Sequence, residues 1–312
     1  MAPGTLQGRD LLSMDDLSVE ELWMVLDLAL DLKARMKAGE RPPLLQGKTL
    51  AMIFEKPSLR TRVTFEVGMW QLGGTAVYLA PQDVQLGVRE SVADVARNLA
   101  RWVDGIAART FRHATVEELA KHAEIPVINA LSDLEHPCQV IADLLTIYEK
   151  RRRLEGLRIA WIGDGNNVCH SLLLGAAKMG MHIVVATPEG YAPREDVVER
   201  AQTSAARSGG RIQLTQDPRE AASGADIIYT DVWVSMGQEE EREVRLQVFR
   251  PYQVNQALLA LANKDVLVMH CLPAHRGEEI TDDVLDGPHS VVLDEAENRL
   301  HAQKALLALL LR

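Results

Sequence analysis

The sequence predicts an α/β protein of two domains, each a parallel sheet flanked by helices, followed by a C-terminal helix. Short apolar segments of strand length alternate with helical stretches along the whole chain, which is typical of parallel sheets. The 312 residues exceed the usual length of one domain, which is about 150 residues. We therefore assign residues 1–135 to a first domain and 136–294 to a second. The helix at 295–312 is expected to pack back on the first domain.

The first half of the chain contains clear helix and strand signals. Ser18 and Glu21 have the spacing of a capping box and precede an amphipathic stretch, which indicates a helix start. The apolar run 49–54 predicts a buried strand that ends at the turn-like segment 55–58. Further helices are predicted at 60–72, 91–99 and 115–122, the last with a capping box at Thr115, and strands at 75–79, 105–108 and 126–128.

The second half repeats this alternation. Helices are predicted at 137–150, 168–179, 194–208 and 295–311, and strands at 158–162, 182–186, 211–215, 226–229 and 266–269. The first of these strands runs into Gly163-Asp164-Gly165. The glutamate-rich stretch 237–245 predicts a solvated loop, since runs of charge are usually exposed. A long loop of this kind can also act as a mobile lid.

Composition and charge exclude several classes of protein. Acidic residues outnumber basic ones, 44 against 34, so the chain lacks the basic surface of a nucleic-acid-binding protein. The sequence contains no run of about 18 apolar residues and no signal-like N-terminus, so we expect no membrane partner. The three cysteines are odd in number and widely spaced, which favours a reducing compartment. These observations predict a cytoplasmic protein.

The carboxyl ends of two predicted strands carry residues suited to binding an anion. In open parallel sheets, ligands bind at these ends. Ser58, Arg60 and Thr61 open a helix after the strand 49–54, where backbone N–H groups, hydroxyls and a guanidinium can converge on an anion. Arg109 follows another strand in the same way. An ordinary helix cap with surface arginines is the alternative interpretation.

A glycine motif after the strand 158–162 suggests a different class of protein. Gly163 and Gly165, with Glu189 farther along the chain, match half of a dinucleotide-binding fingerprint. An NAD-dependent dehydrogenase is therefore one alternative. Val168 replaces the third glycine of that fingerprint, so the match is incomplete.

Histidines and a cysteine lie at two further strand or helix ends. His136 opens a predicted helix, where a structural histidine is the alternative interpretation. His270, Cys271 and His275 lack a clear fourth partner, so we predict no metal site. His270 and Cys271 are adjacent in an extended segment and point to opposite faces, so His270 is not expected to act as a base for Cys271.

Together with the segment 231–237, which follows the predicted strand 226–229, three of these segments resemble the signatures of the carbamoyltransferase family. The segments are 58–62, 136–139, 231–237 and 270–273, and the resemblance extends in order from about residue 8 to residue 310. The last two segments resemble the ornithine branch of the family. An aspartate-specific member would share the first two segments and lack the others.

The resemblance implies a reaction and a set of residues for each substrate. The family transfers the carbamoyl group of carbamoyl phosphate to an amine without a cofactor, and the ornithine branch produces citrulline. The residues implied for carbamoyl phosphate are Ser58, Leu59, Arg60, Thr61, Gln85, Arg109, His136, Gln139 and Arg299. The residues implied for ornithine are Asn167, Asp231, Ser235, Met236, Cys271 and Leu272. Arg109, His136 and Cys271 are the implied catalytic residues.

The resemblance also implies an assembly and a motion. Gln85 matches a glutamine that the family offers across a subunit boundary, so we expect a homo-oligomer, a trimer or a multiple of it. Movement of the loop 235–237 and closure of the domains would exclude water from the reaction.

Two positions depart from the family pattern. The residues after Gln85 read Gly87-Val88-Arg89-Glu90, where the family usually has Gly-Arg-Gly-Glu. Leu59 replaces a commoner threonine, at a position expected to act through its backbone N–H. Two alternatives stay open beside the dehydrogenase: a carbamoyltransferase for another amine, such as putrescine or an acylated ornithine, and a binding protein without catalytic activity.

Overall fold

The computed structural model describes residues 6–235 and 237–312. The chain divides into two compact units. The first contains the residues up to Leu145 together with Glu297–Arg312, and the second contains Thr146–Ala296. The C-terminal helix therefore belongs to the first unit from Glu297 onward.

The first unit is built on a four-stranded parallel sheet with the order β2-β1-β3-β4. Its strands are β1 (Thr49–Phe54), β2 (Thr75–Leu79), β3 (Gly105–Arg109) and β4 (Val127–Leu131). Its helices are α1 (Val19–Lys37), α2 (Leu59–Gln71), α3 (Pro81–Val84), α4 (Val92–Leu99) and α5 (His113–Ala123), and α6 (Pro137–Arg151) begins here. In the centre of the sheet, Ile53 pairs with Leu79 on one side and with Ala108 on the other.

The second unit contains a five-stranded parallel sheet with the order β7-β6-β5-β8-β9. Its strands are β5 (Arg158–Ile162), β6 (His182–Ala186), β7 (Arg211–Thr215), β8 (Ile227–Thr230) and β9 (Leu267–His270). Its helices are α7 (Asn167–Lys178), α8 (Glu195–Ser208), α9 (Pro218–Ala222), α10 (Arg242–Phe249), α11 (Gln256–Leu259) and α12 (Asp282–Leu285), and α13 (Val292–Leu310) begins here.

Two helix starts test the capping signals in the sequence. The hydroxyl of Ser18 accepts a hydrogen bond from the Glu21 N–H, and the Glu21 carboxylate accepts one from the Ser18 N–H, so the predicted capping box is confirmed. The box predicted at Thr115 is wrong. Helix α5 begins at His113, two residues earlier, and its N-cap, Arg112, makes no side-chain cap bond.

The solvated loop predicted at 237–245 is also wrong in its second half. A short 3-10 turn spans Glu239–Glu241, and α10 begins at Arg242. The helix forms because Phe249 packs with Trp233 and Val234 in a buried cluster, and burying this apolar surface stabilises the segment. Arg245, the last residue of the predicted loop, is buried.

Each sheet has a point where the strand order changes direction. The chain passes from β1 to β2 on one side and then to β3 on the other, and β5 lies between β6 and β8 in the same way. Crevices at the carboxyl ends of such strands are the usual ligand sites of parallel sheets. The candidate residues follow β1 and β3 in the first unit, and β5, β8 and β9 in the second. In the part of the chain that the structure describes, no helix has the length and apolar character to cross a membrane.

Candidate active site

The N-terminus of α2 presents free backbone donors at the end of β1. Ser58 is the N-cap, and its hydroxyl accepts a hydrogen bond from the Thr61 N–H over 3.2 Å. The other N–H groups of a first helical turn have no partner within the helix and favour an anion. The side chain of Leu59 is 75% exposed, so its replacement of threonine leaves the backbone of this turn in place.

Arg299 connects this turn to α6 within the first unit. Its Nη2 donates to the Thr61 hydroxyl over 3.0 Å, and its Nη1 donates to the Gln139 Oε1 over 2.6 Å. The Gln139 Nε2 in turn donates to Asp143. All four side chains are buried. The guanidinium of Arg299 is thus held in a fixed orientation between two of the predicted carbamoyl phosphate residues.

Three positive charges act on His136. Burial of its imidazole, together with the charges of Arg299, Arg109 and Arg60, lowers the pKa of His136 well below its usual range. The ring is therefore neutral at physiological pH, whereas the three guanidinium groups carry positive charge. The structure thus brings His136 close to the predicted arginines Arg60, Arg109 and Arg299. Thr61 and Gln139 are hydrogen-bonded to Arg299.

Arg109 is the last residue of β3 and is buried. The register between β3 and β4 shifts between Ala108 and Arg109, and such irregularities redirect side chains near active sites. The Arg109 carbonyl accepts a hydrogen bond from the Glu55 N–H, which fixes the start of the loop after β1. The strand end and the loop that leads to α2 are thus held as one element.

Gln85 lies in a separate, exposed turn. It ends α3 with a left-handed backbone (φ 47°), and the following Gly87 N–H donates to the Glu90 carbonyl over 2.9 Å. Val88, one of the unusual residues of this turn, is 86% exposed. The proposed contribution of Gln85 to a neighbouring subunit stays a prediction.

In the second unit, Asp231 follows β8 and is the centre of the candidate acceptor site. Its Oδ1 accepts a hydrogen bond from the Cys271 Sγ over 3.0 Å, and its Oδ2 accepts one from the Asn166 Nδ2 over 2.7 Å. Asp231 is buried, whereas Cys271 is partly exposed. A carboxylate and a thiol, both predicted from the sequence, therefore lie side by side.

A buried histidine fixes the backbone after Cys271. The Leu272 N–H donates to the His270 Nδ1 over 2.9 Å, so the proton of this imidazole is on Nε2, which is 3.0 Å from the Glu279 Oε1. This chain of bonds holds Leu272 in a left-handed conformation (φ 60°), which a branched residue rarely adopts without such support. The His270 ring bonds to Glu279 and the Cys271 thiol to Asp231, but a ring nitrogen of His270 lies within 4.8 Å of the Cys271 Sγ, so the two side chains do not point to opposite faces as the alternation argument predicted.

Glu295 anchors the same strand from α13. Its Oε2 accepts the His270 N–H over 3.0 Å, and its Oε1 accepts the Tyr229 hydroxyl over 3.0 Å. One carboxylate oxygen of Glu295 thus bonds to β8 and the other to β9. Asp231 and Cys271 directly follow these two strands.

The other predicted ornithine residues are described to different extents. Asn167 begins α7, and its Oδ1 accepts the Val168 N–H. The Ser235 N–H donates to the Gln238 Oε1 over 3.0 Å. Met236 lies outside the described residues. The roles of all three in binding ornithine stay predictions.

The glycine motif after β5 has a packing role. A Cβ atom on Gly165 would lie 2.3 Å from the Pro193 backbone nitrogen, so only glycine permits this approach of two chain segments. The Asn166 Oδ1 accepts the Val168 and Cys169 N–H groups. These are the donors that a dinucleotide phosphate would use at a helix N-terminus, and their occupation argues against the dehydrogenase interpretation.

One group of metal-ligating side chains coincides with the acceptor site. Ligand atoms of Asp231, His270 and Cys271 lie within 4.8 Å of one another. Both ring nitrogens of His270 are already in hydrogen bonds, to the Leu272 N–H and to Glu279. Binding of an ion by this ring would require one of these bonds to break, and the absence of a metal cofactor stays a prediction.

The other two thiols are not part of a reactive site. Burial raises the pKa of Cys138 to about 12. Burial, with the nearby Asp164 and Asp231 charges, raises the pKa of Cys169 well above its usual range. Both cysteines therefore stay protonated and serve as small apolar side chains.

Comparisons with known families agree with the motifs in both units. Residues 9–149 match the description "Aspartate/ornithine carbamoyltransferase, carbamoyl-P binding domain". Residues 155–310 match "Aspartate/ornithine carbamoyltransferase, Asp/Orn binding domain". The chain belongs to the aspartate/ornithine carbamoyltransferase family. The resemblance predicted from the four sequence segments is confirmed, and the dehydrogenase alternative is excluded.

Relatives within the aspartate/ornithine carbamoyltransferase family match nearly the whole chain. The ornithine carbamoyltransferase of Carboxydothermus hydrogenoformans is 60% identical over 305 residues, 98% of each chain. The anabolic ornithine carbamoyltransferase of Pyrococcus furiosus is 57% identical over 307 residues, again 98% of each. A solved structure of the ornithine carbamoyltransferase from Pyrococcus furiosus has a TM-score of 0.97 at 56% identity and covers 99% of this chain and 98% of that one. The predicted fold class is thereby confirmed.

Several residues that shape the carbamoyltransferase site were not found from the sequence. Asn166, the neighbour of the residue assigned to ornithine, makes a hydrogen bond to Asp231, and its position directly before a predicted helix is a further signal, since asparagine is a preferred N-cap. Glu279 and Glu295 are fully buried in a chain where most acidic residues are exposed, and no local pattern marks them. Their roles depend on contacts between segments distant in sequence.

Proposed function

We propose that this carbamoyltransferase transfers the carbamoyl group of carbamoyl phosphate to the side-chain amine of L-ornithine, giving L-citrulline and phosphate. The observation that carries the proposal is the buried Asp231 carboxylate, hydrogen-bonded by Cys271 and Asn166, next to the fixed backbone of Leu272. Relatives named ornithine carbamoyltransferase support it, and the anabolic name of one of them supports a role in arginine biosynthesis.

The first unit has the charge needed to bind carbamoyl phosphate in an otherwise acidic chain. Near neutral pH, a phosphate monoester carries close to two negative charges, about −1.5 to −2. In our proposal, the first turn of α2 and Arg60 bind the phosphate. Arg109, His136, Gln139 and Arg299 bind the carbamoyl group. Because Arg299 is already held by Thr61 and Gln139, it needs little reorganisation when the ligand enters.

The second unit supplies the groups for the acceptor. The Asp231 carboxylate, with neutral donors on both oxygens, keeps a negative charge for the α-ammonium of ornithine. Attack on the carbamoyl carbon requires the neutral side-chain amine, yet the pKa of a free alkylamine is about 10.4. We assign the selection of the neutral amine to Cys271 and the Leu272 carbonyl, since partial burial disfavours an ammonium ion.

Charge that develops during the transfer is stabilised by residues already in position. The carbamoyl oxygen becomes negative in the tetrahedral state, where Thr61, Arg109 and His136 act as donors. A neutral imidazole, as the low pKa of His136 indicates, still donates one N–H. The departing phosphate accepts the proton from the amine, so the proposed reaction needs no carboxylate base from the protein.

Cys271→Ser is expected to lower kcat severalfold without abolishing citrulline formation. The thiol donates to Asp231 and contacts the acceptor, but it forms no covalent bond in the proposed reaction. A serine hydroxyl keeps the donor while changing its size and polarity. The effect is measured as the steady-state rate of citrulline production. Mass-spectrometric detection of a carbamoylated Cys271 would contradict this mechanism.

The activity itself is tested with three acceptors. Citrulline formation from ornithine and carbamoyl phosphate is measured beside carbamoylation of aspartate and of putrescine, with phosphate release as a second readout. We expect a strong preference for ornithine. A preference for putrescine would support the alternative acceptor class. No increase in phosphate release when ornithine is added would support a binding protein without catalytic activity.

We also propose a homo-oligomer, a trimer or a multiple of it, in the cytoplasm. Most of the exposed large apolar side chains belong to the first unit, and they include Trp70, Val88 and Trp102, each at least 70% exposed. Apolar surface of this kind often marks an interface between subunits. Light scattering after size-exclusion chromatography distinguishes a monomer from a trimer.

A further inference from the structure

Arg245 is a buried cation that joins three parts of the second unit. Its Nη1 donates to the Asp164 Oδ2 and to the Trp233 carbonyl, each over 3.0 Å. Its Nε donates to the Glu241 Oε2 over 2.9 Å. The guanidinium therefore holds the segment that leads into the Ser235 loop, the segment that leaves it, and the turn after β5.

Aromatic rings complete this environment. The guanidinium carbon of Arg245 lies 4.9 Å from the centre of the Tyr191 ring and 6.0 Å from that of Phe249. Trp233 stacks on Phe249, and the paired side chains of Arg245 and Asp164 are only 8% and 10% exposed. A cation in such a site is attracted by the ring faces as well as by the carboxylates.

We propose that Arg245 is a positioning residue for the acceptor amino acid, because it fixes the root of the loop that presents Ser235. The proposal rests on the proposed function, in which this loop binds ornithine. Arg245 itself contacts neither substrate in this scheme. The loop leaves the sheet at Asp231, two residues before the bonded Trp233 carbonyl. A shift of that carbonyl thus changes the position of Ser235 without changing the carbamoyl phosphate residues, which lie in the other unit.

The ion pair also makes the loop sensitive to pH. Burial, and to a smaller extent the Asp231 charge, raise the pKa of Asp164 to about 6, against the opposing effects of Arg245 and the Gly165 N–H. The other charged group on Arg245 is Glu241, which is exposed. As the pH falls through 6, Asp164 becomes protonated and its attraction for Arg245 weakens. Binding of ornithine should then weaken, in addition to any effect of protonating the amine.

Steady-state kinetics with four variants test this inference. Arg245→Gln removes the charge, Arg245→Lys keeps the charge but not the forked set of donors, and Asp164→Asn keeps an acceptor without a charge. Arg250→Gln, at an exposed arginine just after the same helix, is the matched control. We expect Arg245→Gln to raise the KM for ornithine at least tenfold and the KM for carbamoyl phosphate less than twofold, with Arg245→Lys in between.

The pH dependence separates positioning from general stabilisation. The ratio of the ornithine KM of Asp164→Asn to that of the wild type should exceed 1 at pH 8 and approach 1 at pH 5, where Asp164 of the wild type is protonated. If Arg245→Gln fails to fold, Asp164→Asn alone still gives this ratio. A ratio that does not change with pH, or equal increases in both KM values, would overturn the inference. Absence of citrulline formation by the wild type would instead refute the proposed function.

Discussion

Asp231→Asn is expected to raise the KM for ornithine by about a hundredfold, which corresponds to about 2.7 kcal/mol of binding. The change removes the one charge assigned to the α-ammonium of the substrate, and a buried charge contact of this kind contributes about 2–5 kcal/mol. The amide still accepts from one neighbour, so the hydrogen bonds to Cys271 and Asn166 are only partly lost. The KM for carbamoyl phosphate should stay close to that of the wild type.

A second acceptor makes this prediction specific. Putrescine lacks the α-ammonium that faces Asp231, so its weak carbamoylation should change far less in Asp231→Asn than that of ornithine. Asp283→Asn, at an exposed aspartate of α12, is the control and should resemble the wild type. Equal losses with ornithine and putrescine would show that Asp231 has a structural role only.

Arg60→Ala should weaken the binding of carbamoyl phosphate by about 2–4 kcal/mol, as expected for loss of a charged contact to an anion. Arg60 lies in the first turn of α2, beside the Ser58 cap, and its charge contributes to the low pKa of His136. Isothermal titration with carbamoyl phosphate measures the loss directly. The ornithine residues belong to the other unit and should be unaffected.

Arg62→Ala is the matched control for Arg60→Ala. Arg62 is on the same helix but pairs with Glu66 and lies over the Tyr78 ring, so its removal should change binding less than twofold. Saturation of Arg60→Ala at the same carbamoyl phosphate concentration as the wild type would refute the assignment of the phosphate site to α2.

Much of the fold could be predicted because most of its strands are buried on both faces, the edge strands β2 and β7 excepted. β5 and β6 are continuous apolar runs that end in glycine or turn residues, and their predicted bounds match the observed ones. Helices of four or five residues, such as α3 and α11, were not predicted because they are too short to show a helical period. The helix α10 was not predicted because glutamates precede it, and only its contact with Trp233 shows which face is buried.

The residues proposed to contact the substrates could be predicted from the sequence, but the residues that support them could not. Residues such as Arg60, His136 and Asp231 follow strands in recognisable segments, so their neighbourhood follows from the topology of a parallel sheet. The positions of the residues that orient these side chains do not follow from the topology. Glu279 supports His270 from a later turn, and Arg245 reaches Asp164 from a helix 81 residues later in the chain. Such contacts are set by tertiary packing, which a local pattern does not encode.

The burial of Cys138 and Cys169 has a practical consequence for solution studies. A water-soluble alkylating reagent reaches neither of them in the folded state, whereas Cys271 is partly exposed. Among the three cysteines, Cys271 is therefore the one thiol that such a reagent can reach, and it lies beside Asp231. Because Cys271 belongs to the proposed acceptor site, bound ornithine should slow its reaction with a maleimide, and the yield of a single adduct by mass would report occupancy of that pocket in an unmutated chain.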